Sequence, residues 1–84
     1  MLRSPSRAEQ ADQSQAPIRS VSDLGQFIRL VRHERSMTQQ ELADMAGVGR
    51  RYLLELEAGK ASVEFGRALQ VAAALGIDLT ARTR

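Results

Sequence analysis

Residues 38–47 read TQQELADMAG. Thr38 and Glu41 have the spacing of a capping box. The Thr38 hydroxyl accepts from the third helical amide, and the Glu41 carboxylate accepts in return from the Thr38 amide. Gly47, free to take a positive φ, stops the helix that this box starts. Between the two signals there is room for a helix of about eight residues, beginning at Gln39. A helix that short is unstable by itself in water. Its inner face of Leu42, Ala43 and Ala46 must therefore be held by neighbours, so the chain has to assemble short helices around this segment.

The neighbours are readable on either side. Leu24, Phe27, Ile28 and Val31 fall at i, i+3, i+4 and i+7, one stripe of a helix. With Ser22 as N-cap and Asp23 in the first turn, helix one is predicted from about Asp23 to Glu34. A third helix is predicted from around Gly49 or Arg50, with Leu53 and Leu56 on one side and Gly59 at its end. Ser62 is the predicted cap of a fourth helix, with Glu64 in its first turn. Phe65, Ala68, Leu69, Ala72 and Leu75 repeat there at helical spacing, and Gly76 ends the run. Ile77-Asp78-Leu79-Thr80-Ala81 then alternates with period two, which predicts a short strand with Ile77, Leu79 and Ala81 on one face. Residues 1–20 hold both prolines and almost no large apolar side chain. They bury too little surface to offset ordering entropy and are predicted to be a flexible arm. Three regions result: an arm at 1–20, a helical domain at 21–76, and a strand and tail at 77–84.

Composition narrows the function classes. With 84 residues the chain is one small domain, and a core this size is marginal without help from a partner subunit. A lone strand leaves its ladder groups open and invites pairing with a second copy, so a homodimer is expected. No apolar run reaches the ~20 residues of a membrane span, and MLRSPSRAEQ lacks a signal-peptide stretch. A cytoplasmic, nucleoid-associated protein with no membrane partner is the expectation. There is no cysteine, and His33 is the single histidine, read as a surface residue favoured by the helix dipole rather than a catalyst. Gly47-Val48-Gly49 lacks the strand and further glycine of a dinucleotide loop. No enzyme, catalytic residue, cofactor or metal is expected.

Two short helices joined by a tight glycine turn form a helix-turn-helix. Ala43 is small where the helices approach, Gly47 makes the turn, Val48 tucks beneath it, and Leu53 and Leu56 anchor the second helix. At about 100° per residue, Leu53, Leu56 and Glu57 point inward. Arg51 and Glu55 centre the opposite side, flanked by Arg50, Tyr52 and Leu54. In this motif the N-terminal part of the second helix enters the major groove of DNA. Arginine there binds guanine O6 and N7, and glutamate accepts from cytosine N4. Arg50, Arg51, Leu54 and Glu55 are therefore the base-reading candidates, with Leu54 suited to a thymine methyl. Gln39, Gly49, Tyr52 and Lys60 are the phosphate-binding candidates. The bland alternatives stay open: Arg51 and Glu55 form an ordinary i,i+4 pair, Leu54 is a stray surface leucine, and Tyr52 is half-packed structure. Eleven of the twelve basic residues are arginine, which suits phosphates and guanine edges but also fits simple base composition.

The runs IRLVR, TQQELADMAGV and LLELEAGK resemble the Xre/Cro/C1-type helix-turn-helix family of phage and bacterial repressors. The resemblance implies an all-α, lambda-repressor-like domain of four helices and a pairing of Arg32 with Glu57 inside it. The longer run YLLELEAGKASVEFGRALQVAAALGIDL is similar to the HipB-type antitoxins, which end in four helices and a short strand. That likeness, over about residues 21–84, implies a strand that pairs in a dimer and palindromic double-stranded operator DNA as target. It also implies repression of the chain's own operon and a HipA-type kinase toxin as partner. Competing readings are a stand-alone repressor without a toxin, and a protein-interaction module that has kept the fold without binding DNA. In the arm, Arg3 and Arg7 are candidates to reach a minor groove, with a solvated tail as the alternative.

Overall fold

The computed structural model describes residues 16–84 and contains four helices: α1 (Val21–Glu34), α2 (Gln39–Ala46), α3 (Arg50–Glu57) and α4 (Phe65–Ala74). Most of the expected arm, with Arg3 and Arg7, lies outside the described residues. Helix α1 packs on α3, and α2 packs on both α3 and α4. Leu24 and Ile28 of α1, Leu42 and Ala43 of α2, Leu53 and Leu56 of α3 and Ala68, Val71 and Leu75 at α4 close one core.

Helix α2 forms as its sequence dictates. Thr38 Oγ1 accepts from the Glu41 amide at 3.0 Å, and the Thr38 amide donates to Glu41 Oε1 at 2.8 Å. Those bonds favour the carboxylate form, so the Glu41 pKa is lowered, chiefly by the Thr38 backbone amide. Gly47 takes φ 73°, and the Val48 amide donates back to the Ala43 carbonyl. The four carbonyls left open at a helix end are partly satisfied this way. Gly59 (φ 81°) and Gly76 (φ 70°) do the same after α3 and α4.

Three local expectations are corrected. The N-cap of α1 is Ser20, whose side chain accepts from the Asp23 amide, so the helix starts at Val21 rather than at Asp23 under a Ser22 cap. Helix α4 is capped by Glu64, whose carboxylate accepts from the Gly66 and Arg67 amides, and not by Ser62. These two amides hold the Glu64 pKa down, Arg67 contributing most. Of the α4 stripe, Phe65 and Leu69 are exposed at 60% and 42%, whereas Val71 is fully buried.

The C-terminal segment differs as well. Among the described residues there is no strand. A strand needs a neighbour for its ladder hydrogen bonds, and a single copy offers residues 77–84 none. The period-two pattern serves packing instead: Ile77 and Leu79 are half-buried against the chain's own core, while Asp78, Thr80 and Ala81 are exposed.

Candidate nucleic-acid interface

The putting together of α2 and α3 depends on what lies behind them. Arg32 of α1 and Glu57 at the end of α3 are both buried. Arg32 Nε donates to Glu57 Oε2 at 2.7 Å and Nη2 to Oε1 at 3.0 Å, a two-pronged pair. Arg32 Nη1 also donates to the Met37 carbonyl at 2.7 Å, which fastens the turn between α1 and α2. The Gln39 side chain completes the set by donating from Nε2 to Glu57 Oε1 at 3.2 Å. Burying two charges is tolerable only when geometry is this good and the remaining donors are used. The pairing of Arg32 with Glu57 is thus present, and it joins α1, α3 and the start of α2.

With its inner side so anchored, α3 turns a row of side chains outward. The Arg51 side chain is 94% exposed, and its Nε lies 3.4 Å from Glu55 Oε1. Lys60 Nζ lies 3.4 Å from the other carboxylate oxygen of Glu55. Arg50 is exposed, with no ion pair to any described residue. Leu54, at 47% exposure, stands beside them. Gly49 is the N-cap of α3 and has no side chain to cap it, so the first amides of α3 keep their donors free. Arg50, Arg51, Leu54 and Glu55 therefore share one solvent-facing side, and Gly49 and Lys60 mark its two ends.

Two phosphate candidates are partly spent elsewhere. The Tyr52 hydroxyl donates to the Glu64 carbonyl, so its proton is unavailable to a phosphate oxygen. Its ring is half-buried, with the Arg67 guanidinium 5.9 Å from the centroid, and burial raises its pKa, with Glu64 adding to the effect. Tyr52 is a brace between α3 and α4. Gln39 gives one amide hydrogen to Glu57 and keeps the second. The backbone amides of Gln39 and Gln40, in the first turn of α2, have no intrahelical acceptor.

Gly25 escaped the sequence reading. A Cβ at this position would lie 2.0 Å from the Leu56 carbonyl oxygen, so α1 crosses α3 backbone to backbone. The signal was a glycine inside an amphipathic helical run, where it costs ~1 kcal/mol against alanine unless packing requires it.

A helix-turn-helix family profile matches residues 28–81. The chain belongs to the Xre/Cro/C1-type helix-turn-helix family. Members of this family are DNA-binding regulators rather than enzymes. This helix-turn-helix chain is 46% identical over 62 residues to the HTH-type transcriptional regulator y4mF of Sinorhizobium fredii, covering 74% of itself and 82% of that protein. It is 38% identical over 58 residues to the immunity repressor protein of Bacillus phage phi105, covering 69% of itself but only 40% of the repressor. Among solved structures it is similar to the chain in the HipB-O4 20mer complex, with a TM-score of 0.75, 22% identity, and coverage of 82% of this chain and 97% of that one. At that identity the likeness concerns the fold, and it agrees with the four helices and their order. No helix among the described residues is long and apolar enough to cross a membrane, and no group of metal-ligating side chains occurs among them.

Proposed function

We propose that this chain is a sequence-specific repressor that binds palindromic double-stranded operator DNA as a homodimer. Helix α3 enters the major groove with Arg50, Arg51, Leu54 and Glu55 toward the base edges. The open amides at the starts of α2 and α3, the spare Gln39 hydrogen and Lys60 take phosphates. The observation that carries this reading is the exposure of the Arg51 side chain on the outer side of a helix whose inner side is locked by Leu53, Leu56 and Glu57.

A dimer is supported by apolar surface left uncovered near the C-terminal segment. Phe65 and Leu69 are exposed on α4, and Phe65 borders a groove with Ile18, Val63 and Leu79. Large exposed apolar side chains grouped in this way favour a protein partner. In the dimer, residues around Ile77, Leu79 and Ala81 pair with their two-fold mates as a strand, gaining the ladder bonds that one copy lacks.

The finer reading is that the chain is the antitoxin of a HipBA-type operon, represses that operon and binds a HipA-type kinase toxin. The fold likeness to the HipB chain supports it. The likeness to the phage immunity repressor supports instead a stand-alone repressor. Co-elution with a HipA-like kinase encoded beside this chain would decide for the first; a lone regulator gene decides for the second.

Selection of bound duplexes from a random pool tests the core of the proposal. A palindrome with guanines in each arm is the expected product. Recovery of no consensus, or of one without dyad symmetry, would overturn the dimeric base-reading arrangement.

A further inference from the structure

Glu55 is a carboxylate in the middle of a face assigned to a polyanion. Its two oxygens are divided: Oε1 is 3.4 Å from Arg51 Nε and Oε2 is 3.4 Å from Lys60 Nζ. Its side chain is 30% exposed, against 94% for Arg51 and 55% for Lys60. One acid therefore spans the foremost base-reading cation on α3 and a phosphate-binding cation just beyond that helix's C-terminal end.

We propose that Glu55 is the specificity gate of this face. It engages Arg51 and Lys60 in the free protein, and it penalises any duplex that does not offer an exocyclic amino group to its carboxylate. The proposal rests on the DNA-binding reading above.

Exposed ion pairs are weak, so neither cation is locked. A phosphate draws Lys60 away and a guanine edge draws Arg51 away. Both departures leave Glu55 without a cation in a groove walled by phosphates. An unpaired carboxylate there loses hydration and is repelled, and only a hydrogen-bond donor compensates. In the major groove those donors are cytosine N4 and adenine N6, whereas guanine and thymine turn acceptors to the same place. Arg51 thus selects by attraction and Glu55 by exclusion, the two routes by which a partner is discriminated. Binding to random sequence runs on phosphate contacts and gains no such compensation on average, so Glu55 weakens it more than it weakens operator binding.

The test compares the wild type and Glu55→Gln on a duplex selected from a random pool and on a scrambled duplex of equal length, across a range of salt. Circular dichroism melts check the fold, and Glu55→Ala serves as a second variant. The glutamine both donates and accepts, so it no longer excludes guanine or thymine. Affinity of Glu55→Gln for the scrambled duplex should rise about tenfold, with the specificity ratio falling by a similar factor. Its salt slope on that duplex should steepen by up to about one. Unchanged affinity for the scrambled duplex and an unchanged ratio, in variants that melt normally, would overturn the gate while leaving the DNA-binding reading in place. A wild type that binds neither duplex sinks both.

Discussion

Gly25 of α1 lies against the Leu56 carbonyl of α3, so close that a single methyl group would stand 2.0 Å from that oxygen. The contact is backbone on backbone, and neither side has a rotamer to move. It sets the distance between the helix that carries Arg32 and the helix that carries the solvent-facing Arg50, Arg51 and Leu54.

Gly25→Ala should therefore destabilise the fold despite alanine's better helix propensity. The propensity gain is ~1 kcal/mol, and overpacking of this kind costs about 1–3 kcal/mol or more. Because the 2.0 Å contact is with backbone, the upper end of that cost applies, and a net loss of roughly 2 kcal/mol in urea unfolding is expected. Gly49→Ala is the comparison at an open position, with nothing within 4 Å and a φ of −74°, where any loss is limited to the N-cap preference for glycine over alanine. A Gly25→Ala protein as stable as wild type would refute the close crossing.

Removing one member of the buried pair should be costly. Arg32→Met or Glu57→Gln each strands a charge or donor in the interior, at about 3–5 kcal/mol. Changing Arg32 and Glu57 together to apolar residues should cost less than the sum of the single changes. A double-mutant cycle by denaturant unfolding measures the coupling.

Acid should loosen the starts of α2 and α4 together. Glu41 and Glu64 both have pKa values lowered from 4.5 in the folded chain by bonds to backbone amides. A depressed folded pKa means stability that is fully present above 4.5 and lost as pH falls through the lower folded value. Melting temperature should consequently drop below about pH 4.5, and Glu41→Gln with Glu64→Gln should flatten that drop. A profile with the same slope in the double variant would count against both caps.

Arg50→Ala with Arg51→Ala should abolish operator selectivity while leaving the circular dichroism melt nearly unchanged. Each lost bidentate contact removes about 1–3 kcal/mol of discrimination, and neither side chain supports the core. Retained selectivity in the double variant would displace the base-reading role from this face.

Tyr52→Phe separates bracing from phosphate binding. The change removes the bond to the Glu64 carbonyl, at about 0.5–1.5 kcal/mol of stability. Operator affinity measured well below the melting temperature should stay nearly constant. A large affinity loss with an unchanged melt would return Tyr52 to the phosphate contacts.

The sequence alone determined the features that rest on hydrogen bonds within a few residues: the Thr38–Glu41 box, the positive-φ glycines at 47, 59 and 76, and hence the short α2 and its tight turn into α3. It also determined which side of α3 faces out, since helical periodicity separates Arg51 from Leu53 and Leu56 without further information. The tertiary structure decided what depends on partners distant in the chain. Gln39 and Tyr52 look like free polar side chains until Glu57 and Glu64 are brought to them. Phe65 and Val71 carry similar apolar weight, and only the direction in which α4 lies on α2 buries Val71 and leaves Phe65 out. The alternation of residues 77–81 fits a paired strand or a segment laid on its own core equally well, because both turn Ile77 and Leu79 to the same side. Long-range packing separates such alternatives, and local pattern holds no record of it.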